Sequence, residues 1–216
     1  MRDKQLRQDI LDELEYEPSL CATNIGVAVE DGVVTLTGHV RSYSEKLAAE
    51  RAVRRVGGVR AIAEEIEVRL PNESKTADDE IAKRAAHILH WDTRVPDDLI
   101  QITVRDGRVT LAGEVEWQYQ RQAAENDIHR LSGVIRVNNQ IMLKAHVQVP
   151  DVEKRIVQAL KRSAEIEAKD IRVSVREGTV ILEGKVHDLD ERDAVVDAAW
   201  SALGVRNIED RLTVGR

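Results

Sequence analysis

Few residues in this 216-residue chain have the type and spacing that chemistry needs. His87 and His90 stand three apart in a stretch of helical periodicity, a spacing that can offer two imidazole nitrogens to one metal ion. Asp92 or Asp127 would have to complete such a site. The acidic runs Glu13–Glu17, Asp78–Glu80 and Asp188–Glu191 can attract cations, but two of them open helices, where carboxylates suit the helix dipole. None has EF-hand spacing. Cys21 is the single cysteine, so the chain forms no internal disulfide and no thiolate cluster. Gly57-Gly58 lacks the Lys-Ser/Thr of a phosphate loop. What remains is a set of aromatics close to helix ends and loops: Tyr16, Trp91, Trp117, Tyr119 and Trp200. Rings of this amphipathic kind suit a membrane interface or a protein contact, and burial between neighbouring modules would use them equally well.

The elements that must position these residues come as a threefold repeat. Ile25–Val40, Ile100–Val115 and Ile171–Val186 each show two alternating apolar runs around an acidic-Gly pair, the signature of a β-hairpin. The hairpins start 75 and 71 residues apart, and the same offsets carry Leu14 to Leu89 to Leu160 and Gly58 to Gly133 to Gly204. No insertion is needed between those limits, so the repeat is real and any activity belongs to the array. A helix precedes each hairpin, with Leu6, Ile10, Leu11 and Leu14 at helical spacing in the first copy and Pro18 as its stop. A second helix follows, capped near Ser42 and ended by Gly57-Gly58, with Leu47, Ala48, Ala52 and Val56 as core candidates. A third strand carrying Val59, Ile62, Ile66 and Val68 completes an α-β-β-α-β order. The intervening helix permits the second and third strands to run parallel. With Asp31-Gly32 as a two-residue turn, Ile25 pairs with Gly38, Val27 with Leu36 and Val29 with Val34, all on one buried face. An inward Gly38, Gly113 or Gly184 is then expected where a helix crosses close to the sheet.

Composition narrows the function classes. The net charge of −7 is spread evenly, at −3, −2 and −2 over residues 1–72, 73–147 and 148–216. Mildly acidic modules argue against a nucleic-acid partner. No apolar run of about 18 residues offers a transmembrane helix, and the charged start lacks an apolar leader. The expected setting is therefore cytoplasmic, or periplasmic for a chain already relieved of its leader. The copies also disagree wherever a nucleophile or ligand could sit. Cys21 aligns with Pro96 and Glu167, His39 with Glu114 and Lys185, and the His87/His90 pair with Asp12/Glu15 and Gln158/Lys161. No Ser-His-Asp or Cys-His arrangement recurs, so no catalysis, no metal site and no cofactor are expected.

The run V-x-V-x-(D/E)-G-x-V-x-L-x-G-x-V, followed by a helix with paired small residues and a Gly-Val start to the last strand, resembles the BON domain family in all three copies. The resemblance implies an α-β-β-α-β sandwich, no catalysis and membrane-lipid binding in envelope-stress proteins; a cytoplasmic relative of the family is associated with potassium. The expected class is thus α+β: three tandem modules, each a three-stranded mixed sheet with two helices packed on one face. Module one spans 1–70, module two 78–144 and module three 151–216, with linkers at 71–77 and 145–150. Three small domains on short tethers fit better than a continuous superhelix. The expected function is non-catalytic attachment, in an osmotic-stress context, to phospholipid surfaces or membrane-associated proteins. Tyr16, Trp91, Trp117, Tyr119 and Trp200 are the candidate contacts. The alternative is a cytosolic K⁺-responsive or scaffolding module, and self-association into a homo-oligomer is a further possibility.

Overall fold

The computed structural model describes residues 2–71, 76–144, 151–163 and 171–215, so the two linkers lie largely outside the described residues. The first module opens with helix α1 (Arg2–Tyr16), which buries Leu6, Ile10 and Leu14 at four-residue spacing. Leu11 flanks that stripe, half-buried. Strands β1 (Ile25–Glu30) and β2 (Val33–Val40) follow as an antiparallel hairpin. Asp31 and Gly32 both take positive φ, 49° and 76°, the backbone of a type I′ turn whose twist matches the strands it joins. Its register is the expected one, Ile25 to Gly38, Val27 to Leu36 and Val29 to Val34.

Helix α2 (Tyr43–Arg54) starts at Ser42, whose hydroxyl accepts the Glu45 N–H at 3.2 Å. It buries Ala48, Ala49, Ala52 and Val53. Leu47 and Val56 only border this stripe, which lies one position on from the one the periodicity suggests. Small residues let the helix lie close to the sheet. Beyond the helix, Gly58 turns the chain with φ +100°. Strand β3 (Ala61–Val68) then pairs parallel with β2, giving the order β1-β2-β3 with β2 central.

The plan repeats. Module two has α3 (Asp78–Trp91), β4 (Ile100–Arg105), β5 (Arg108–Val115), α4 (Gln118–His129) and β6 (Arg136–Leu143). Module three has α5 (Val152–Arg162), β7 (Ile171–Arg176), β8 (Thr179–Val186), α6 (Leu189–Trp200) and β9 (Asn207–Val214). Each sheet is three-stranded with the hairpin's second strand in the middle. Leu36, Leu111 and Leu182 are fully buried in the three cores, beside the helix residues Ile10, Ile81 and Ile156. Each contributes about 1.5–3 kcal/mol by leaving water. A core with so few large side chains leaves a module of this size only marginally stable.

One expectation is corrected. A Cβ on Gly38 would stand 2.0 Å from the carbonyl oxygen of Asn24, and one on Gly113 would stand 2.1 Å from that of Leu99. The obstacle is the short 3-10 turn that feeds the first strand, not a crossing helix. This turn (Ala22–Asn24, Asp97–Leu99) curls its last carbonyl over the end of the partner strand, and only glycine leaves room.

The hairpin tip is tied down from two sides. The Arg60 N–H donates to Gly32 O at 2.9 Å, Ile135 to Gly107 at 2.9 Å and Arg206 to Gly178 at 2.8 Å. In the first two modules the opening carboxylate of the first helix also accepts both turn N–H groups. Asp3 takes those of Asp31 and Gly32 at 3.2 and 3.3 Å; Asp78 takes those of Asp106 and Gly107 at 2.8 and 2.9 Å. The acidic opening of α3 is therefore a turn receptor as well as a charge suited to the dipole.

The chain forms two compact units. One is residues 1–115 with 119–142, holding the first two modules; the other is 116–118 with 143–216, holding the third. Within the first unit the two modules touch: the Ser44 hydroxyl of module one donates to the His129 carbonyl of module two at 2.9 Å.

Candidate partner-binding surface

The histidine pair of α3 is turned to other uses. His87 Nε2 accepts the indole N–H of Trp91 at 2.9 Å, with the rings 6.0 Å apart. His90 Nδ1 lies 2.9 Å from Asp97 Oδ2. Asp92 is engaged by Arg94. Among the described residues no group of three or more His, Cys, Asp or Glu side chains converges on a metal-sized site. Cys21 is exposed, its Sγ 3.7 Å from Thr23 Oγ1.

The five aromatics divide. Tyr16 ends α1 and is 83% exposed; Trp91, in the same column, ends α3 and is 72% exposed. Tyr119, in the first turn of α4, is 55% exposed. Trp117 is half-buried ahead of α4. Trp200 ends α6 half-buried, packed on the core of its own module. Met142, an exposed apolar side chain at the end of β6, was not singled out from the sequence. A lone apolar residue at a strand end gives no periodic signal.

A second surface is already occupied, from within the chain. The Ser44 hydroxyl at the start of α2 donates to the His129 carbonyl at 2.9 Å, at the end of α4. Beside it the Tyr43 ring meets the His129 imidazole at a centroid distance of 5.0 Å. The Val137 N–H faces the phenol oxygen. His129 is buried, with Nε2 3.5 Å from Glu125 Oε1. The Glu125 carboxyl is held below its ordinary range, chiefly by His129, with Asn139 Nδ2 adding a bond at 2.9 Å. This contact leaves no mark in the repeat pattern, because its two halves lie in different columns of different copies.

Tyr43 follows from this burial. Desolvation pushes its phenol above the ordinary range, and the Glu125 charge adds to the effect. A group whose folded value is raised favours folding while protonated. Its contribution is complete below the ordinary phenol range and is lost as pH rises through the folded value. Ultraviolet difference titration of the wild type against Tyr43→Phe should show the Tyr43 phenolate forming above the ordinary phenol range. The contact is misassigned if that difference curve has its midpoint at the ordinary position.

Osmotically-inducible protein Y of Escherichia coli (strain K12) is 27% identical over 148 residues, which cover 67% of this chain and 74% of that protein. CdsD, a structural protein of the type III secretion system of Chlamydia trachomatis, is matched over 96% of this chain and 91% of its own, with 17% identity and a TM-score of 0.26. A structure of the CdsD C-terminal domain is matched over 98% of both chains, with 16% identity and a TM-score of 0.28. Scores that low carry no argument about function. The BON domain model matches residues 2–69, 77–145 and 148–216, one match for each copy of the repeat, and the chain belongs to the BON domain family.

Proposed function

We propose that this chain is a non-catalytic binding protein that attaches peripherally to phospholipid surfaces, in the osmotic-stress setting named for its E. coli relative. The observation that carries the reading is the uncovered Tyr16, Trp91 and Tyr119, large amphipathic rings at helix ends in a chain otherwise poor in aromatics. Such rings place an apolar body in the acyl boundary and a polar edge among headgroups. No helix among the described residues is long and apolar enough to cross a membrane. The evenly acidic modules give no reason to prefer anionic lipid. Weak sites on one chain gain affinity through effective concentration, so the array binds where a single module barely would. Divergence of the three copies at every nucleophile column supports a role without catalysis.

Co-sedimentation with phosphatidylcholine vesicles, with and without phosphatidylglycerol, tests the reading. Binding to both is expected. Tyr16→Ala, Trp91→Ala and Tyr119→Ala should each cost about 1 kcal/mol, roughly fivefold in partitioning, from apolar area no longer buried. Failure to bind either vesicle, or binding untouched by all three changes, sinks the lipid reading.

A further inference from the structure

The end of a module's first helix meets the second helix at a corner that differs between copies. In module one Glu17 pairs with Arg55 at 3.1 Å, above a fully buried Ala52. In module two Asp92 occupies the column of Glu17, and Asp127 occupies that of Ala52; module three has Ser163 and Ala198 there. A carboxyl thus replaces a core methyl in one copy only. Asp127 is 5% exposed, and its Oδ2 is buried without a hydrogen-bond donor. Its carboxyl faces that of Asp92. Asp92 is gripped by Arg94, whose Nε lies 3.0 and 3.1 Å from the two carboxylate oxygens and whose Nη2 lies 2.6 Å from Oδ2; the Arg94 N–H donates to Oδ1 at 2.8 Å. Asp92 also closes α3, its N–H bonded to Ile88 O at 3.2 Å and its own carbonyl accepting from Val95 at 2.9 Å.

We infer that Asp127 and Asp92 hold one proton between them, and that this proton fastens the end of α3 to α4. Two bare carboxylates cannot hydrogen-bond to each other. With one proton, Asp127 donates and Asp92 accepts. The Arg94 fork decides the direction, because it keeps Asp92 anionic. Burial pushes the Asp127 carboxyl up, and the facing Asp92 charge adds to this; Arg94 from the α3 side and Arg130 beyond α4 oppose it less strongly. The side-chain bond from Arg94 holds Asp92 well below the carboxylate range. The two shifts point in opposite directions, as expected of a pair that titrates together.

The signs set the window. Asp127 is raised, so its contribution is complete below the ordinary carboxylate range and is lost as pH rises through its folded value. Asp92 is lowered, so its pairing with Arg94 is lost only in strong acid. The latch is therefore closed in mild acid and opens as pH rises, leaving two facing negative charges beside Trp91. This inference does not depend on the membrane reading.

Carbon-detected NMR on the full chain, with carboxyl-labelled aspartate, tests it directly. Asp127 should titrate above the ordinary aspartate range, and the Asp92 carboxyl carbon should move in step. After correction for the intrinsic pH dependence of exchange, the Asp92 and Val95 amides should lose roughly tenfold in protection through the same window, the equivalent of one pKa unit of coupling. The corresponding amides at the end of α1 should show no such step. Asp127→Asn, whose amide donates at any pH, should keep the protection throughout. Titration of Asp127 within the ordinary range, or no response at Asp92, overturns the inference.

Discussion

Gly113→Ala should destabilise the second module by about 4 kcal/mol or more, the range reached when a strained backbone conformation coincides with a clash that cannot relax. The new Cβ would lie 2.1 Å from the Leu99 carbonyl oxygen and 3.2 Å from its carbon. Both are backbone atoms, so no rotamer change relieves them. The φ of Gly113 is +149°, in a region that side chains avoid. Relief requires the 3-10 turn to lift away from β5, which would break the pairing of Ile100 with residue 113. Gly38→Ala should behave alike, with its Cβ 2.0 Å from Asn24 O. Gly57→Ala is the control, since nothing lies within 4 Å of its added carbon and its φ is not positive. Urea unfolding followed by circular dichroism separates the two cases: a large fall in midpoint for Gly113→Ala and almost none for Gly57→Ala. Equal shifts would refute the account of the hairpin glycines.

That glycine also marks how far the sequence could be read. Alternation and the Asp31-Gly32 pair determine which strand residues face each other, because a two-residue turn leaves one register that buries all the apolar residues. Val27 opposite Leu36 was therefore legible. What covers Gly38 was not, since it is set by a carbonyl, and every residue has one. Likewise Asp78 shows in sequence only as an acid at a helix start, and its service to the turn of Asp106-Gly107 depends on how α3 crosses the hairpin tip. The site was less legible than the fold. Tyr16, Trp91 and Trp200 all end helices, yet only the first two are left largely exposed. Exposure is settled by neighbours brought in from elsewhere in the chain. Asp127 carried a usable signal: a carboxyl in a column otherwise filled by Ala52 and Ala198 invites a search for its partner.

The second large effect concerns the turn receptor. Asp78→Ala removes the acceptor of two backbone N–H groups that belong to a type I′ turn and have no place in the strand ladder. Bonds to a charged acceptor contribute about 1.5–3 kcal/mol when buried; this site is partly open, and water can replace part of the loss. A net cost of about 2 kcal/mol is expected, including the lost interaction with the α3 dipole. Asp78→Asn should fall between wild type and alanine, because an amide offers one acceptor and turns its NH2 toward the second N–H. Asp3→Ala should cost less, as its bonds of 3.2 and 3.3 Å are longer than the 2.8 and 2.9 Å of Asp78. Asp79→Ala loses its own share of the α3 dipole interaction and an exposed pairing with Lys83 at 3.1 Å, and should lower the unfolding midpoint only slightly. Amide exchange at Asp106 and Gly107 adds the local readout. Both should speed up in Asp78→Ala and stay unchanged in Asp79→Ala. If the two variants behave alike, the turn is held by the Ile135-to-Gly107 bond alone, and the carboxylate has no part in it.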